Sequence, residues 1–354
     1  MNFMNKINKT GKTAIISIYP GIGDIVWHLP FFRAIANNSN EKKIHLFTRK
    51  TTLAKEILKH DKYIEKVEYL SETREFFNTI KAFPKTIKIL KNQNFDTIWI
   101  FHRSPRYAII SRLAKIKNIY GFGLGAQKFW LTTKQSIGID SKKKDNIYKA
   151  KKFLNVHKIK YHDNSKLDIP DNIAKKELRI FKKYKKPWIS IGFSCNKTAF
   201  MGNNLPYSFY RTWRPNYFSN LINFFTKKNK KKTIFLIGAK NEINLAKKIK
   251  EECKNKKNVV ISCNPILTNL AILSKSKCFI GNDSGPLNLS ASMGIKSFGL
   301  FGASPPIKNK NIFALVPPSG PVDPHKYGFN PISLEEGMDL IKPEYVYKKV
   351  KKFI

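Results

Sequence analysis

Long apolar runs, paired cysteines, clustered histidines and acidic side chains are all scarce in this chain, and each scarcity removes a class of protein. Nowhere in the 354 residues does an apolar run approach the roughly 18 that a membrane-spanning helix needs. The opening, Met1 to Lys12, is polar and leads at once into a hydrophobic strand, so neither a signal peptide nor an anchor is expected. The four cysteines, Cys195, Cys253, Cys263 and Cys278, show no CxxC spacing, and reduced thiols in the cytoplasm are the simplest reading. Seven histidines form no HxxxH pattern, so a protein-held metal is not expected, and His28 and His102 read as structural. Acids number 24 against 66 Lys and Arg, a formal net charge of +42. Such a charge attracts nucleic acid, anionic membrane and phosphorylated substrates alike. Biased genome composition would also produce it, because much of it is Lys mixed with Ile, Asn and Phe.

What is present is an alternation of strands and helices in two halves. Strand candidates are Thr13 to Tyr19, Lys43 to Thr48, Glu68 to Leu70, Phe95 to Phe101 and Asn118 to Phe122, then Trp188 to Phe193, Thr233 to Gly238, Val259 to Cys263, Cys278 to Gly281 and Lys296 to Phe301. Such alternation predicts parallel α/β sheets, and the length suffices for two domains with separate cores. The lysine-rich piece Asp168 to Lys186, bounded by Pro170 and Pro187, is the expected linker. It would divide residues 1–167 from residues 187–343.

Two turns carry the chemistry. After the strand ending at Gly281, the run Asp283-Ser284-Gly285-Pro286 opens a helix, where free N–H groups attract anions, Gly285 admits close backbone approach and Pro286 suits the first helical position. The same residues also make a well-capped helix start with no ligand. Near the other end, Pro20-Gly21-Ile22-Gly23-Asp24 joins a strand to a helix with apolar Ile25, Val26, Leu29, Phe32 and Ala36. This is not a dinucleotide fingerprint, because the position three after Gly23 is Val26 and no acid ends the second strand. Asp24 presents one carboxylate at a helix N-terminus, fit for a general base or for a cap.

The two segments together resemble glycosyltransferase family 9, the heptosyltransferases of lipopolysaccharide core assembly. The family's opening is matched by Gly23-Asp24 and Leu29-Pro30-Phe31, and its second-half motif by Gly281, Asp283, Ser284, Gly285, Pro286, Ala291 or Ser292, Gly294, Phe301 and Gly302. Arg211-Thr212-Trp213-Arg214-Pro215 looks like a third, middle element. Two departures stand out: Asn288 replaces the family's His, and Arg211 stands where Lys is usual. Asn donates a hydrogen bond but carries no charge. An extended segment, Cys195 to Tyr210, precedes Arg211, either as a loop near the active site or as an exposed insertion.

The resemblance implies a GT-B architecture, two Rossmann-like domains with parallel sheets facing across a cleft. The first half would receive the acceptor and the second would hold a nucleotide sugar, with ADP-heptose the expected donor and no further cofactor. Residues 344–354 would form a C-terminal helix crossing back onto the first domain. Asp24, at the glycine turn of Gly21 and Gly23, would take a proton from the acceptor hydroxyl in a metal-independent, inverting transfer. Arg211, Lys240 and the N–H groups of Ser284 and Gly285 would stabilise the departing pyrophosphate. Glu242 resembles the ribose-binding acid, Asp283 would orient the turn or contact the sugar, and Asn288 completes the donor set. Arg49 and Lys50, with Lys55, follow one strand, while Arg103 and Arg106, with Arg112, follow another. Both clusters are candidates for contact with an anionic, lipid-linked glycan at the cytoplasmic face of the inner membrane, and solvated surface is the plain alternative. A family 9 enzyme with a different sugar or acceptor is the nearest rival. A non-enzymatic nucleic-acid-binding α/β protein is the other, although no helix-turn-helix, zinc-finger or RNP-like signature supports it.

Overall fold

A computed structural model of the chain describes residues 11–70, 83–162, 166–195, 211–228, 232–302, 304–320 and 336–354. The chain forms two compact units, Met1–Ser165 and Lys166–Ile354. In the first, the described elements are β1 (Thr13–Ile16), α1 (Ile22–Asn37), β2 (Ile44–Thr48), α2 (Ala54–Ile57), β3 (Ile64–Tyr69), α3 (Phe83–Asn92), β4 (Thr97–Ile100), α4 (Arg106–Leu113), β5 (Asn118–Gly121) and α5 (Asn146–Val156). The second holds α6 (Asp171–Glu177), β6 (Trp188–Gly192), α7 (Pro215–Lys228), β7 (Thr233–Ile237), α8 (Ile243–Glu251), β8 (Val259–Ser262), α9 (Ile266–Ser274), β9 (Cys278–Asn282), α10 (Gly285–Ser292), β10 (Ser297–Leu300), β11 (Ile312–Leu315) and α11 (Pro343–Val350).

Both sheets are wholly parallel, as the alternation predicts, with orders β3-β2-β1-β4-β5 and β11-β10-β9-β6-β7-β8. Inner strands such as Thr-Ala-Ile-Ile of β1 and Thr-Ile-Trp-Ile of β4 are buried at every position, which explains their unbroken apolar runs. In the first sheet the chain lays β2 and β3 on one side of β1, then returns to place β4 on the other. In the second it reverses between β6 and β9 in the same way. Ligands of open α/β sheets bind beyond the strand C-termini at such switch points. The turns after β1 and β9 occupy those two positions.

A row of glycines seats the second turn. Gly192, Gly281 and Gly299 lie side by side on β6, β9 and β10. A Cβ on Gly281 would come 2.5 Å from the Gly192 carbonyl oxygen, and one on Gly299 would come 2.8 Å from Leu287 of α10. The row therefore lets the first turn of α10 settle close against the sheet. On the opposite rim, where helices hand over to strands, Lys42, Asn94 and Lys115 adopt left-handed backbone, with φ of 50°, 48° and 61°.

Four details differ from the sequence reading. The third strand runs Ile64–Tyr69 rather than Glu68 to Leu70: it is an edge strand whose Glu65 and Lys66 face water, and those charges hide it. Strand β11, a second edge strand, has only its two end residues buried and was not foreseen. The expected linker, 168–186, carries α6 and a 3₁₀ turn and belongs to the second unit, where Ala174 and Phe181 are buried and Phe181 meets Phe235 edge-on. The C-terminal helix, expected to cross onto the first domain, packs within the second unit. Val346 and Val350 are buried in its core, and the Tyr347 ring stacks on Phe224. Arg214 holds the preceding segment by a bidentate grip on Asp339 at 2.6–2.8 Å, and the Trp213 indole donates to the Ile341 carbonyl at 2.8 Å. Of the segment Cys195 to Tyr210, all but Cys195 lies outside the described residues.

Candidate active site

In the first unit the site is built at the start of α1. Gly21 is the extended residue before the helix, and its N–H donates to the Asp24 carboxylate at 3.0 Å. A Cβ at Gly21 would lie 2.8 Å from that oxygen, so glycine is what lets the carboxylate fold back onto the turn. Burial raises the pKa of Asp24, against the opposing pull of the Gly21 N–H and of the Asn146 side chain at the head of α5. Burial and the nearby Asp24 charge raise the Tyr19 hydroxyl as well. His28, one turn on, is wholly buried between Tyr19 and Phe32, and its Nδ1 lies 2.6 Å from the Asp24 carbonyl oxygen. Burial lowers its pKa to about 4, so it is a neutral core residue at physiological pH.

The loop after β4 gathers the basic candidates. Burial first, then Arg106, Arg49 and Arg103, lower the pKa of His102 to about 4, so the fields of all three cations reach one ring. Lys149 of α5 joins them: burial and Arg103 lower its pKa, and Asp145 opposes them. Asp145 caps α5 by accepting from the Tyr148 N–H at 2.7 Å, and its charge also acts on His28. The head of α5 thus acts both on the Asp24 turn, through Asn146, and on the basic cluster, through Asp145. Arg106 lies over the Tyr107 ring and donates to its hydroxyl at 2.5 Å. Lys50 is exposed. Arg112 is elsewhere, because α4 carries it away from the rim, and it donates to the carbonyls of Trp130 and Leu131 at 2.9 and 2.8 Å.

In the second unit Arg211 donates to Asp283 at 3.0 Å, and the Ser304 hydroxyl donates to the same carboxylate oxygen at 2.7 Å. The buried Cys195 thiol lies between the carbonyls of Arg211 and Asp283, at 3.5 and 3.7 Å, and burial pushes its pKa up to about 12. Asn282, wholly buried, accepts from the Trp213 N–H at 3.1 Å. Among the described residues, Asn282 Nδ2 and Ser284 Oγ are buried atoms with no hydrogen-bond partner. Ser284 heads α10 and Gly285 opens it. Asn288, buried, donates back to the Ser284 carbonyl at 3.0 Å and so braces the turn from within the helix. Glu242 is buried and accepts from the Ala239 N–H at 2.6 Å just beyond β7, while Lys240 beside it is exposed. The charge of Glu242 reaches Cys195, so it shares this end of the sheet with Arg211 and Asp283.

Sequence reasoning missed Asn146, Asn282, Cys195 and Ser304. Asn282 sits inside the motif and could have been found there. The others are single small residues that only the fold carries to the turns. Among the described residues no three His, Cys, Asp or Glu gather closely enough to hold a metal ion, and no helix is long and apolar enough to cross a membrane.

Two parallel α/β units, each with a polar turn at its switch point, match the GT-B class of glycosyltransferases. The same fold is found in the ADP-heptose lipopolysaccharide heptosyltransferase II of Escherichia coli, at 12% identity over 97% of this chain and 98% of that one, with a TM-score of 0.73. It recurs in a family 9 glycosyl transferase from Veillonella parvula (13% identity, 98% of both chains, TM-score 0.72) and in E. coli heptosyltransferase WaaC with ADP (15% identity, 97% and 100%, TM-score 0.68). No curated protein matches the chain. The family profile described as glycosyltransferase family 9 (heptosyltransferase) matches residues 84–317. The chain belongs to that family.

Proposed function

We propose that the protein is an inverting, metal-independent transferase that moves a heptose-like sugar from a nucleoside diphosphate, ADP-heptose in the first instance, to a hydroxyl of a lipopolysaccharide core or related surface glycan. The observation that carries the reading is Asp24: a half-buried carboxyl group in the first turn of a helix, held by Gly21 and Asn146, with its pKa raised by desolvation. A general base works best when its pKa is raised towards the operating pH, and desolvation acts on Asp24 in that direction. In this reading Asp24 takes the acceptor proton as the hydroxyl oxygen attacks the anomeric carbon. The nucleoside diphosphate departs from the opposite face.

Charge on the leaving group falls to the second unit. Arg211, already oriented by Asp283, supplies a fixed cation, and the Ser284 and Gly285 N–H groups supply donors at the head of α10. Lys240 adds a mobile charge, and Glu242 is placed to accept from a ribose. Asn282 Nδ2 and Ser284 Oγ, buried and unpartnered among the described residues, support a polar ligand here. Arg49, Lys50, Arg103 and Arg106 would hold the acids and phosphates of the acceptor. An enzyme working on a lipid-linked acceptor would act in the cytoplasm, in peripheral contact with the inner membrane. Donor structures named for ADP and for ADP-2-deoxy-2-fluoro heptose belong to WaaC, at 15% and 13% identity, and lend support to the nucleotide choice.

Calorimetric titration with ADP, UDP, GDP and CMP tests the donor assignment. Selective ADP binding, weakened in Arg211→Ala, is the expected result. Selective binding of another nucleotide would move the enzyme to a different sugar, a reading that Asn288 in place of the family's His leaves open.

A further inference from the structure

From Thr97 through Ile139 the chain has no Asp or Glu but seven Lys and Arg. The middle of this stretch is a 3₁₀ turn, Gly125–Trp130, whose side chains divide sharply. Gln127 is wholly buried: its amide donates to the carbonyls of His102 and Ser104 at 2.7 and 3.2 Å, and its carbonyl accepts from the Gly123 N–H at 3.0 Å. Gly121 makes the room, since a Cβ there would come 2.9 Å from Leu131 and 3.0 Å from Gln127. With Gln127 bolted inward, its neighbours must point out. Phe129 is 74% exposed and Trp130 41%, and Leu113 at the end of α4 is 53% exposed. Arg112, Lys128, Phe129, Leu131 and Lys134 line one open groove, and Arg112 clamps the turn through the Trp130 and Leu131 carbonyls.

Rigidly displayed aromatic rings ringed by cations need a partner that offers apolar depth and negative charge at once. A second copy of the chain would set these cations against like charges, and so few apolar side chains fall well short of the roughly 800 Å² per partner of a stable interface. Nucleic acid would satisfy the cations and stack on the rings, but would leave the exposed Leu113 without an apolar partner. An anionic bilayer satisfies both, with Trp and Phe at the headgroup level and Lys and Arg among the phosphates. We propose that Leu113, Lys128, Phe129, Trp130 and Lys134 form the surface by which the first unit docks on an anionic lipid bilayer. The purpose of the docking rests on the lipid-linked acceptor proposed above. Because Gln127 ties the turn to the backbone of His102 and Ser104, docking fixes the height of Arg103 and Arg106 over the lipid.

The test is co-sedimentation of the full chain with phosphatidylcholine vesicles, with and without phosphatidylglycerol, for wild type, Phe129→Ser/Trp130→Ser and Lys128→Glu/Lys134→Glu. Wild type should partition onto the anionic vesicles, and each double variant should lose about tenfold or more, since one cation near such a surface contributes about fivefold. Brominated acyl chains should quench wild-type tryptophan fluorescence and quench Trp130→Phe less. Unchanged melting temperature and ADP affinity in the variants would show that folding and the donor site are intact. Equal partition of the aromatic variant and wild type would overturn the proposal in favour of charge alone. Concentration-dependent dimerisation, lost in the same variants without vesicle binding, would overturn it in favour of self-association. Failure of wild type to bind any of ADP, UDP, GDP and CMP would instead remove the proposed donor site and leave the vesicle result standing.

Discussion

Arg211 and Asp283, 72 positions apart in sequence, meet at 3.0 Å where the turn after β9 opens α10. The Ser304 hydroxyl donates to the same carboxylate oxygen at 2.7 Å, so two donors hold the Asp283 carboxylate beside the turn. Arg211→Ala should weaken nucleoside diphosphate binding by about tenfold or more, the scale of a lost charge-assisted contact. Calorimetry reads this directly, and unaltered affinity would remove the phosphate role.

Asp283→Ala leaves a cation without its anchor. A loss of about 1.5–3 kcal/mol in unfolding free energy is expected, measured by urea denaturation. Asp283→Asn keeps an acceptor oxygen for Arg211 and Ser304 and should retain more of both stability and nucleotide affinity than Asp283→Ala. Equal damage by the two would mean that charge, not orientation, is what Asp283 contributes.

Asp24→Asn should keep donor binding and lose turnover by about two orders of magnitude or more. Its stability should move the other way. The folded pKa of Asp24 lies above the unfolded one, so the native state holds the proton more tightly, and stability falls as pH rises through that window. At neutral pH the carboxylate is therefore a cost, and Asp24→Asn should melt higher than wild type. The acid limb of the turnover profile should likewise lie above the ordinary carboxylate range. A lower melting temperature, or full turnover, would count against Asp24 as a half-buried base.

His28, His102 and His157 all have pKa values lowered to about 4, chiefly by burial. Each takes up a proton on unfolding below its ordinary pKa of roughly 6.5, so the stability it protects is complete above that value and is lost as pH falls towards 4. Denaturation midpoints measured from pH 7 to pH 4 should drop steeply. His157→Phe, within the Trp99, Tyr120 and Phe153 ring cluster, should flatten that drop.

Gly281→Ala would drive a methyl to 2.5 Å from the Gly192 carbonyl oxygen. Backbone must shift to accept it, at about 1–3 kcal/mol, and the head of α10 should lift. Reduced melting temperature together with weaker nucleotide binding is the expected pair of results.

The sheets were legible because their inner strands are buried on both faces and read as continuous apolar runs, β1 and β4 above all. Edge strands were not: Glu65 and Lys66 serve solubility on β3 and hide it, and β11 is buried only at its two ends. Gly21, Asp24 and the 281–285 run were readable because backbone geometry demands those residue types next to one another. Asn146 and Ser304 reach the same turns by the fold's long-range pairing, which no local pattern records. The lysine-rich 168–186 segment misled because its composition is that of a solvated linker, while a few residues such as Ala174 and Phe181 secure it to the core. Likewise Arg112 shares a helix with Arg106 but stands two turns away, which removes it from the rim.

Lys42, Asn94 and Lys115 end their loops in backbone geometry that glycine adopts freely and a lysine adopts at a cost of about 1 kcal/mol. All three stand on the rim where strands begin, whereas both candidate turns stand where strands end. The first unit thus leaves room for stabilisation at one rim of its sheet and sets its candidate turn at the other. Glycines engineered into the first rim would harden the scaffold while leaving the working rim untouched.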